Sequence, residues 1–260
     1  RSTPSNSSAA SDVYKRQVVA GTSGDESAFA VSTNSGATFN DTGLIDTEIT
    51  YIRDVAVSAD GSKVYMVTDN GNNLSLWRKV STWQRVLSQQ GTADYIVRIA
   101  PDDADAVYVA KKGGTTIYYN DRGGDTKWLT RTCIVNIQDL AVESADVLYA
   151  ATQSAATVAK STNGGFIWDS AEATGNGGNN HMIKSLGEDL LVLGSDDGYV
   201  AYSDDGNDSW TAISDVTPGT APGAVQVTAT GLAEGDFIYA ATSETGDNIY
   251  RLEIGVGEWD

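Results

Sequence analysis

The chain has 260 residues, and 17 basic against 35 acidic side chains give it a formal net charge of −18 at pH 7. This balance argues against nucleic-acid binding, which needs a basic face, and against adsorption to an anionic membrane. No run of about 18 apolar residues predicts a membrane-spanning helix. One cysteine and one histidine exclude a disulfide framework and metal sites built from several cysteines or histidines.

The first 17 residues differ from the rest of the chain. Residues 1–11 are rich in Ser and Ala without apolar periodicity, which predicts disorder. The next six, Asp12–Gln17 (DVYKRQ), resemble a translated transposase sequencing adapter, which implies an assembled metagenomic sequence. We therefore interpret 1–17 as a disordered or artefactual segment and 18–260 as one folded domain.

From Val18 onwards the chain is repetitive. A short apolar run recurs about every 43 residues, at Val18–Thr22, Val64–Thr68, Val107–Lys111, Leu148–Thr152, Leu190–Gly194 and Ile238–Thr242. An aromatic residue keeps the same period, at Phe39, Trp83, Trp128, Trp168, Trp210 and Trp259. Two independent markers with one period predict about six repeats.

The second repeat shows the expected organisation of each unit. Alternating apolar residues and turn signals predict four strands, at Ile52–Ser58, Lys63–Thr68, Leu74–Lys79 and Trp83–Leu87. Four strands in about 40–45 residues are typical of a β-propeller blade, which buries its faces only against neighbouring blades. The sequence therefore predicts an all-β propeller of four-stranded blades.

The two ends of the repeat region predict incomplete blades. Val18 falls in the second strand of the first repeat, and Trp259 falls at the start of the fourth strand of the last. We therefore expect three strands, then four complete blades, then three strands. Since two such ends do not combine into one blade, we expect an incomplete arc or a strained six-blade ring from a longer propeller of seven or more blades.

The turn before the aromatic marker carries a family resemblance. Ser161–Trp168 (STNGGFIW) resembles the Asp-box, or BNR repeat, Ser-x-Asp-x-Gly-x-Thr-Trp; Ser32–Phe39 and Ser203–Trp210 are further copies, and Asn120–Trp128 is a degenerate one. The chain is thus similar to sialidase-superfamily propellers and to photosystem II stability/assembly-factor-like repeat proteins.

The resemblance implies that these boxes are structural and lie at the periphery of the blades. The short polar side chain should bind backbone N–H groups of the turn, and the aromatic ring should fill the gap between blades. The expected box residues are Ser32, Asn34, Gly36, Phe39, Ser161, Asn163, Gly165, Trp168, Ser203, Asp205 and Trp210.

An enzyme is the alternative that the family raises. The Phe/Tyr-Arg-Ile-Pro motif of sialidases is absent, and Arg53 and Arg98 occupy different offsets, so we expect them to be solvated or salt-bridged. Asp54 and Asp139 share one offset on the predicted innermost strands. Because related propellers cleave xyloglucan with two carboxylates, they are the candidate catalytic pair. The acidic excess favours structural roles for both, so we lean towards a non-catalytic protein.

Two acidic loops raise the question of metal binding. Asp102, Asp103 and Asp105 form one loop, and 204–208 form another that already matches an Asp-box. Neither has EF-hand spacing, so we expect no cofactor and keep Ca²⁺ at the first loop as an alternative. His181 is expected to be an exposed loop residue. Cys133 is expected to be a small buried hydrophobe.

The composition and fold together favour a binding module. We expect a non-catalytic extracellular or cell-surface propeller that binds protein or glycan through its loop faces. A fragment of a sialidase- or xyloglucanase-like glycoside hydrolase and an assembly-factor-like propeller are the alternatives. The expected partners include neither nucleic acid nor the membrane interior.

Overall fold

The computed structural model describes residues 18–21, 28–32, 34–38, 41–44, 49–91, 93–213, 217, 223–243 and 249–260. This part of the chain contains strands and turns and no helix. Accordingly, none of it forms a helix long and apolar enough to cross a membrane. The strands form six antiparallel sheets, numbered here in chain order, and within each sheet the strands follow one another as a meander.

The first three sheets contain eleven strands. Sheet 1 consists of β1 (Val18–Gly21), β2 (Ala28–Ser32) and β3 (Asp41–Leu44). Sheet 2 consists of β4 (Tyr51–Val57), β5 (Val64–Asp69), β6 (Asn73–Lys79) and β7 (Trp83–Gln90). Sheet 3 consists of β8 (Tyr95–Ile99), β9 (Val107–Lys111), β10 (Thr116–Asn120) and β11 (Leu129–Thr132).

The last three sheets also contain eleven strands. Sheet 4 consists of β12 (Ile137–Val142), β13 (Leu148–Thr152), β14 (Thr157–Ser161) and β15 (Glu172–Ala173). Sheet 5 consists of β16 (Asn180–Gly187), β17 (Leu190–Ser195), β18 (Val200–Ser203) and β19 (Thr211–Ala212). Sheet 6 consists of β20 (Val225–Ala229), β21 (Phe237–Thr242) and β22 (Ile249–Glu253).

The sheets match the predicted pattern of strands. Their strand numbers are three, four, four, four, four and three, and Trp259 adds a single bridge to Leu252 beside the last strand. In sheet 2 each predicted strand starts within one residue of the observed one, and only β7 extends clearly further, to Gln90. The predicted segment 1–17 lies outside the described residues, and the number of blades in the whole protein stays a prediction.

The core lies between successive sheets. The first strands of sheets 2 to 6 pack side by side, and the apolar clusters each combine side chains of two neighbouring sheets. Fully buried tyrosines add polar links across these seams. The Tyr65 hydroxyl donates to the Gly123 carbonyl of sheet 3, and the Tyr108 hydroxyl donates to the Ala145 carbonyl of sheet 4. The predicted mutual burial of the repeats is therefore confirmed.

Candidate functional site at the central cavity

The first strands of sheets 2 to 6 surround a cavity of about 390 Å³. This volume lies within the range of roughly 300–1,000 Å³ that is usual for ligand pockets. Five sheets supply its charged and polar lining residues, which are Arg53, Asp54, Asp94, Arg98, Lys112, Asp139, His181 and Gln226. This open cavity, with polar groups that converge from distant parts of the chain, is the candidate binding site.

Bulges in three of the lining strands help to shape the cavity. The pairing of β4 with β5 skips Arg53, that of β12 with β13 skips Gln138, and that of β16 with β17 skips His181. An extra residue of this kind breaks the regular alternation of the strand and redirects a side chain. Two of the three extra residues, Arg53 and His181, line the cavity.

The two candidate catalytic residues lie together at the cavity. Asp54 and Asp139 each follow a bulge and occupy the same register position in their sheets. Arg98 lies between them, with Nη1 2.6 Å from Oδ2 of Asp54 and Nη2 2.5 Å from Oδ1 of Asp139. Arg98, which was expected to be solvated or salt-bridged, is therefore salt-bridged to both candidate residues.

Backbone N–H groups also donate hydrogen bonds to both carboxylates. Each accepts a hydrogen bond from the N–H of the residue that follows it. Asp54 also accepts the N–H of Val97 in sheet 3, and Asp139 that of Ile183 in sheet 5, both at 3.0 Å. With Arg98, three donors fill most of the roughly four acceptor positions of each carboxylate. A general acid must instead hold a proton that it can donate to the substrate.

The same register position links sheets even where it holds no carboxylate. In sheet 5 it holds Met182, whose sulfur accepts the N–H of Val227 in sheet 6 at 2.9 Å. In sheet 3 it holds Ile96, and there the Nε of Arg98 donates to the Leu140 carbonyl of sheet 4 at 2.9 Å. In sheets 2, 4 and 5 this position therefore joins one innermost strand to the next, and in sheet 3 Arg98, two residues further along, makes the link.

The charged residues of the cavity differ in how far they are neutralised. The Arg53 guanidinium binds Asp69 through Nε, and its Nη1 lies 2.8 Å from Asp94. Like Arg98, it is therefore held between two carboxylates, which agrees with the prediction of solvated or salt-bridged arginines. Lys112, which directly follows β9, forms no ion pair with any described residue. The lining thus carries three positive and three negative side chains, and among them Lys112 has no ion-pair partner in the described ranges.

His181 corrects the prediction of an exposed loop residue. It belongs to β16, is half-buried and lines the cavity, because the innermost strand begins earlier than the Gly/Asn-rich composition of 175–180 indicated. The Gln226 amide nitrogen lies 2.9 Å from its Nε2, and the tautomer of the ring decides the donor and acceptor roles in this contact. Burial lowers the pKa of His181 below 6.5, Lys112 lowers it further, and Asp139 and Asp196 oppose the shift.

The predicted Asp-box turns have the expected internal hydrogen bonds. The Ser161 hydroxyl accepts the N–H of Gly165 at 2.9 Å, and Asn163 Oδ1 accepts the N–H of Ile167 at 2.7 Å. The turns at 32–38 and 203–209 repeat this pattern through Ser32, Asn34, Ser203 and Asp205, with Gly36 at a φ of 86°. In the third copy Asn207 takes the glycine position with a φ of 82°. None of these described residues lines the cavity.

Among the described residues, the aromatic side chains after these turns fill seams between sheets, except for Trp83. Trp168 is 8% exposed and packs among residues of sheets 3 and 4. Trp210 donates to Asn207, whose amide reaches the Val158 carbonyl of sheet 4 at 3.2 Å. Trp83 is 43% exposed, because its shortened turn leaves the ring beside Lys79 at the surface. Phe39 lies outside the described residues.

The acidic loop predicted as a possible Ca²⁺ site joins three sheets. Asp102 accepts the N–H of Ala145 at 2.8 Å, Asp103 accepts the N–H of Asp105, and Asp105 binds Lys63 of sheet 2. Among the described residues no three His, Cys, Asp or Glu side chains are grouped to hold a metal ion. These carboxylates are therefore engaged in structural contacts, and Ca²⁺ binding stays a prediction.

Comparison with known proteins rests on structure. No protein-family model and no curated protein sequence matches the chain. The GH74 enzyme of Niastella koreensis superposes on 94% of this chain with a TM-score of 0.58 at 16% identity, and the chain spans 36% of that enzyme's length. The structure of YCF48 bound to D1 peptide superposes on 91% of this chain and 75% of its own length, with a TM-score of 0.54 at 12% identity. Both are β-propellers, and the chain therefore has the β-propeller fold that its repeats predicted.

Proposed function

We propose that this protein is a non-catalytic binding propeller whose polar ligand, a protein segment or a glycan, occupies the central cavity. The observation that carries the proposal is the state of Asp54 and Asp139. Each carboxylate is held by Arg98 and by two backbone N–H groups, which suits a structural link and leaves little freedom for acid–base chemistry. The cavity beside them keeps polar groups available for a ligand.

Binding is tested on glycan and peptide arrays with the labelled protein and two variants. Gln226→Trp places a large ring at the exposed cavity lining and should abolish the signal. Gln90→Trp makes the same change at the exposed end of an outermost strand and should leave binding intact. A ligand that binds both variants equally well would place the site elsewhere and contradict the proposal.

Hydrolysis is the competing function and has a direct test. The protein is incubated with sialyl substrates, xyloglucan and other β-glucans, and products are measured alongside those of Asp54→Asn and Asp139→Asn. We expect no turnover. Clear hydrolysis that either substitution abolishes would make these residues the general acid and base of a glycoside hydrolase.

The location and partner class are further parts of the proposal. A strongly acidic surface suits an extracellular or cell-surface protein that stays soluble through charge repulsion, and the structurally similar YCF48 is bound to a peptide. An assembly-factor-like role is the variant in which the ligand is a client protein. Expression of the complete open reading frame, followed by recovery of the product from medium, envelope and cytoplasm, tests the location.

A further inference from the structure

We propose that the edge of the cavity formed by Lys112, His181 and Gln226 binds a carboxylate group of a peptide ligand. This inference rests on the proposed binding function and names the chemistry that the site recognises. The three residues come from sheets 3, 5 and 6, so only the assembled propeller brings them to one cavity.

The Lys112 ammonium is the feature of the cavity that supports an anionic ligand group, in a lining with three positive and three negative side chains. Every carboxylate of the described lining is bound by an arginine: Asp54 and Asp139 by Arg98, and Asp94 by Arg53. Lys112 is the lining charge that has no such partner in the described ranges. The Lys112 ammonium helps to lower the pKa of the half-buried His181, so its positive charge acts on a group inside the cavity.

The neighbouring polar groups complement this charge. The Gln226 amide has two N–H bonds, of which the contact with His181 uses at most one, so another donor is available to an incoming oxygen. An ammonium and an amide donor together suit a carboxylate. The net charge of −18 opposes the approach of an anion, but charges beyond about 8 Å are largely screened at physiological salt. Within the cavity the three carboxylates are bound by arginines, and the unpaired Lys112 is the group that attracts the ligand carboxylate.

The lining favours a peptide over an acidic sugar. Among the described lining residues the only tyrosine, tryptophan or phenylalanine is Tyr95, and this residue is 6% exposed. The cavity thus lacks an accessible aromatic face on which a sugar ring would stack. Donors and acceptors from strand ends instead suit the backbone and polar side chains of a peptide.

Four synthetic probes test the assignment. Amidated hexaglutamate carries only side-chain carboxylates, hexaglutamine carries only its C-terminal carboxylate, amidated hexaglutamine carries none, and an oligogalacturonate carries carboxylates on sugars. Binding is followed by calorimetry and by the NMR signal of His181, the single histidine of the chain. We expect at least one carboxylate peptide to bind and shift this signal, and amidated hexaglutamine to leave it unchanged. The two carboxylate peptides separate a side-chain source from a C-terminal one.

Two matched variants tie the binding to the proposed residue. Lys112→Ala should weaken peptide binding by about three- to tenfold, the range for a partly solvent-screened ion pair. Lys127→Ala removes the same charge from an exposed turn outside the cavity and should not change the affinity. Both variants should keep the native NMR spectrum apart from local shifts.

Several results would overturn the assignment: equal binding of amidated hexaglutamine, unchanged affinity in Lys112→Ala, binding of the oligogalacturonate alone, or no binding of either carboxylate peptide. If a neutral glycan or peptide still shifted the His181 signal in those cases, the proposed binding function would stand and only the carboxylate assignment would fall. If ligands bound without any effect on His181 and were insensitive to Gln226→Trp, the proposed function itself would fall.

Discussion

The Asp139 carboxylate accepts a hydrogen bond from the backbone N–H of Ile183, 3.0 Å away, and this bond joins two sheets of the propeller. Asp54 makes the same bond to Val97, which joins sheets 2 and 3. Inner strands of a propeller have no ladder hydrogen bonds to one another, so buried side chains must satisfy N–H groups that face the neighbouring sheet. A carboxylate at this repeat position therefore has a structural reason to be there.

The first prediction concerns the bridge through Arg98. Arg98→Met should lower the free energy of unfolding by about 2–4 kcal/mol, because it leaves two largely buried carboxylates without their counter-charge; the partial exposure of Arg98 keeps the loss below that of a fully buried pair. Urea unfolding measures this loss. The triple variant Asp54→Asn/Arg98→Met/Asp139→Asn should regain part of it. A triple variant less stable than Arg98→Met would contradict the explanation.

The second prediction compares the two parts of an Asp-box. Trp168→Ala should cost about 3–5 kcal/mol of unfolding free energy, since it opens a cavity in the seam between sheets 3 and 4. Asn163→Ala should cost only about 1 kcal/mol per hydrogen bond lost from an exposed turn. Asn163→Asp, which keeps the acceptor oxygen, serves as the control and should unfold near the wild-type midpoint. A larger effect of Asn163→Ala than of Trp168→Ala would show that the turn outweighs the ring.

The third prediction concerns Cys133. Burial raises the pKa of its thiol to about 11, and the side chain is 1% exposed. At pH 8 the native protein should therefore react very slowly with a disulfide reagent such as DTNB, because both thiolate and access are lacking. In urea the reagent should titrate one thiol per chain. Rapid stoichiometric labelling of the folded protein would contradict the buried placement.

The fourth prediction concerns the titration of His181. Burial and the Lys112 ammonium disfavour the charged imidazolium, so the pKa should lie below 6.5 in the native protein. Lys112→Ala removes a positive charge and should raise this pKa, whereas Asp139→Asn removes a favourable negative charge and should lower it further. NMR titration follows both changes without assignment problems, because the chain has one histidine. Lys127→Ala is the control and should leave the pKa of His181 unchanged. If Lys112→Ala also left it unchanged, the Lys112 ammonium would be too far from the imidazole to act on it.

The titration of His181 also reports on a carboxylate bound beside it. An anion beside His181 favours the imidazolium, so the His181 pKa should rise in the complex, and the affinity should increase as the pH falls from about 8 towards 6. The groups that act on this ring are Lys112, Asp139 and Asp196, and Gln226 contacts it directly.

Local signals in the sequence were sufficient for the fold. Alternating apolar residues and turn residues are local patterns, and they predicted the strands of sheet 2. The period of about 43 residues predicted that successive repeats form successive sheets. The same signals placed the box turns and most of their aromatic residues. The predicted burial of Trp83 between sheets was wrong, because the shortened turn before it keeps the ring at the surface.

Local patterns in the sequence were not sufficient to predict the cavity. The repeated runs Ile52-Arg53-Asp54-Val55 and Ile137-Gln138-Asp139-Leu140 could have indicated equivalent bulges, but the third bulge, at His181, has no matching residues around it.

The sequence by itself predicted a chain of strands with a period of about 43 residues, an acidic net charge and an aromatic residue in each repeat. The tertiary structure decided that Arg98 bridges Asp54 and Asp139 and that Lys112 and His181 share one cavity. These contacts join residues of different repeats, and they follow from strand register and from the way that successive sheets stack. A shift of one residue in register turns a side chain to the opposite face, so only the packed molecule shows which groups meet.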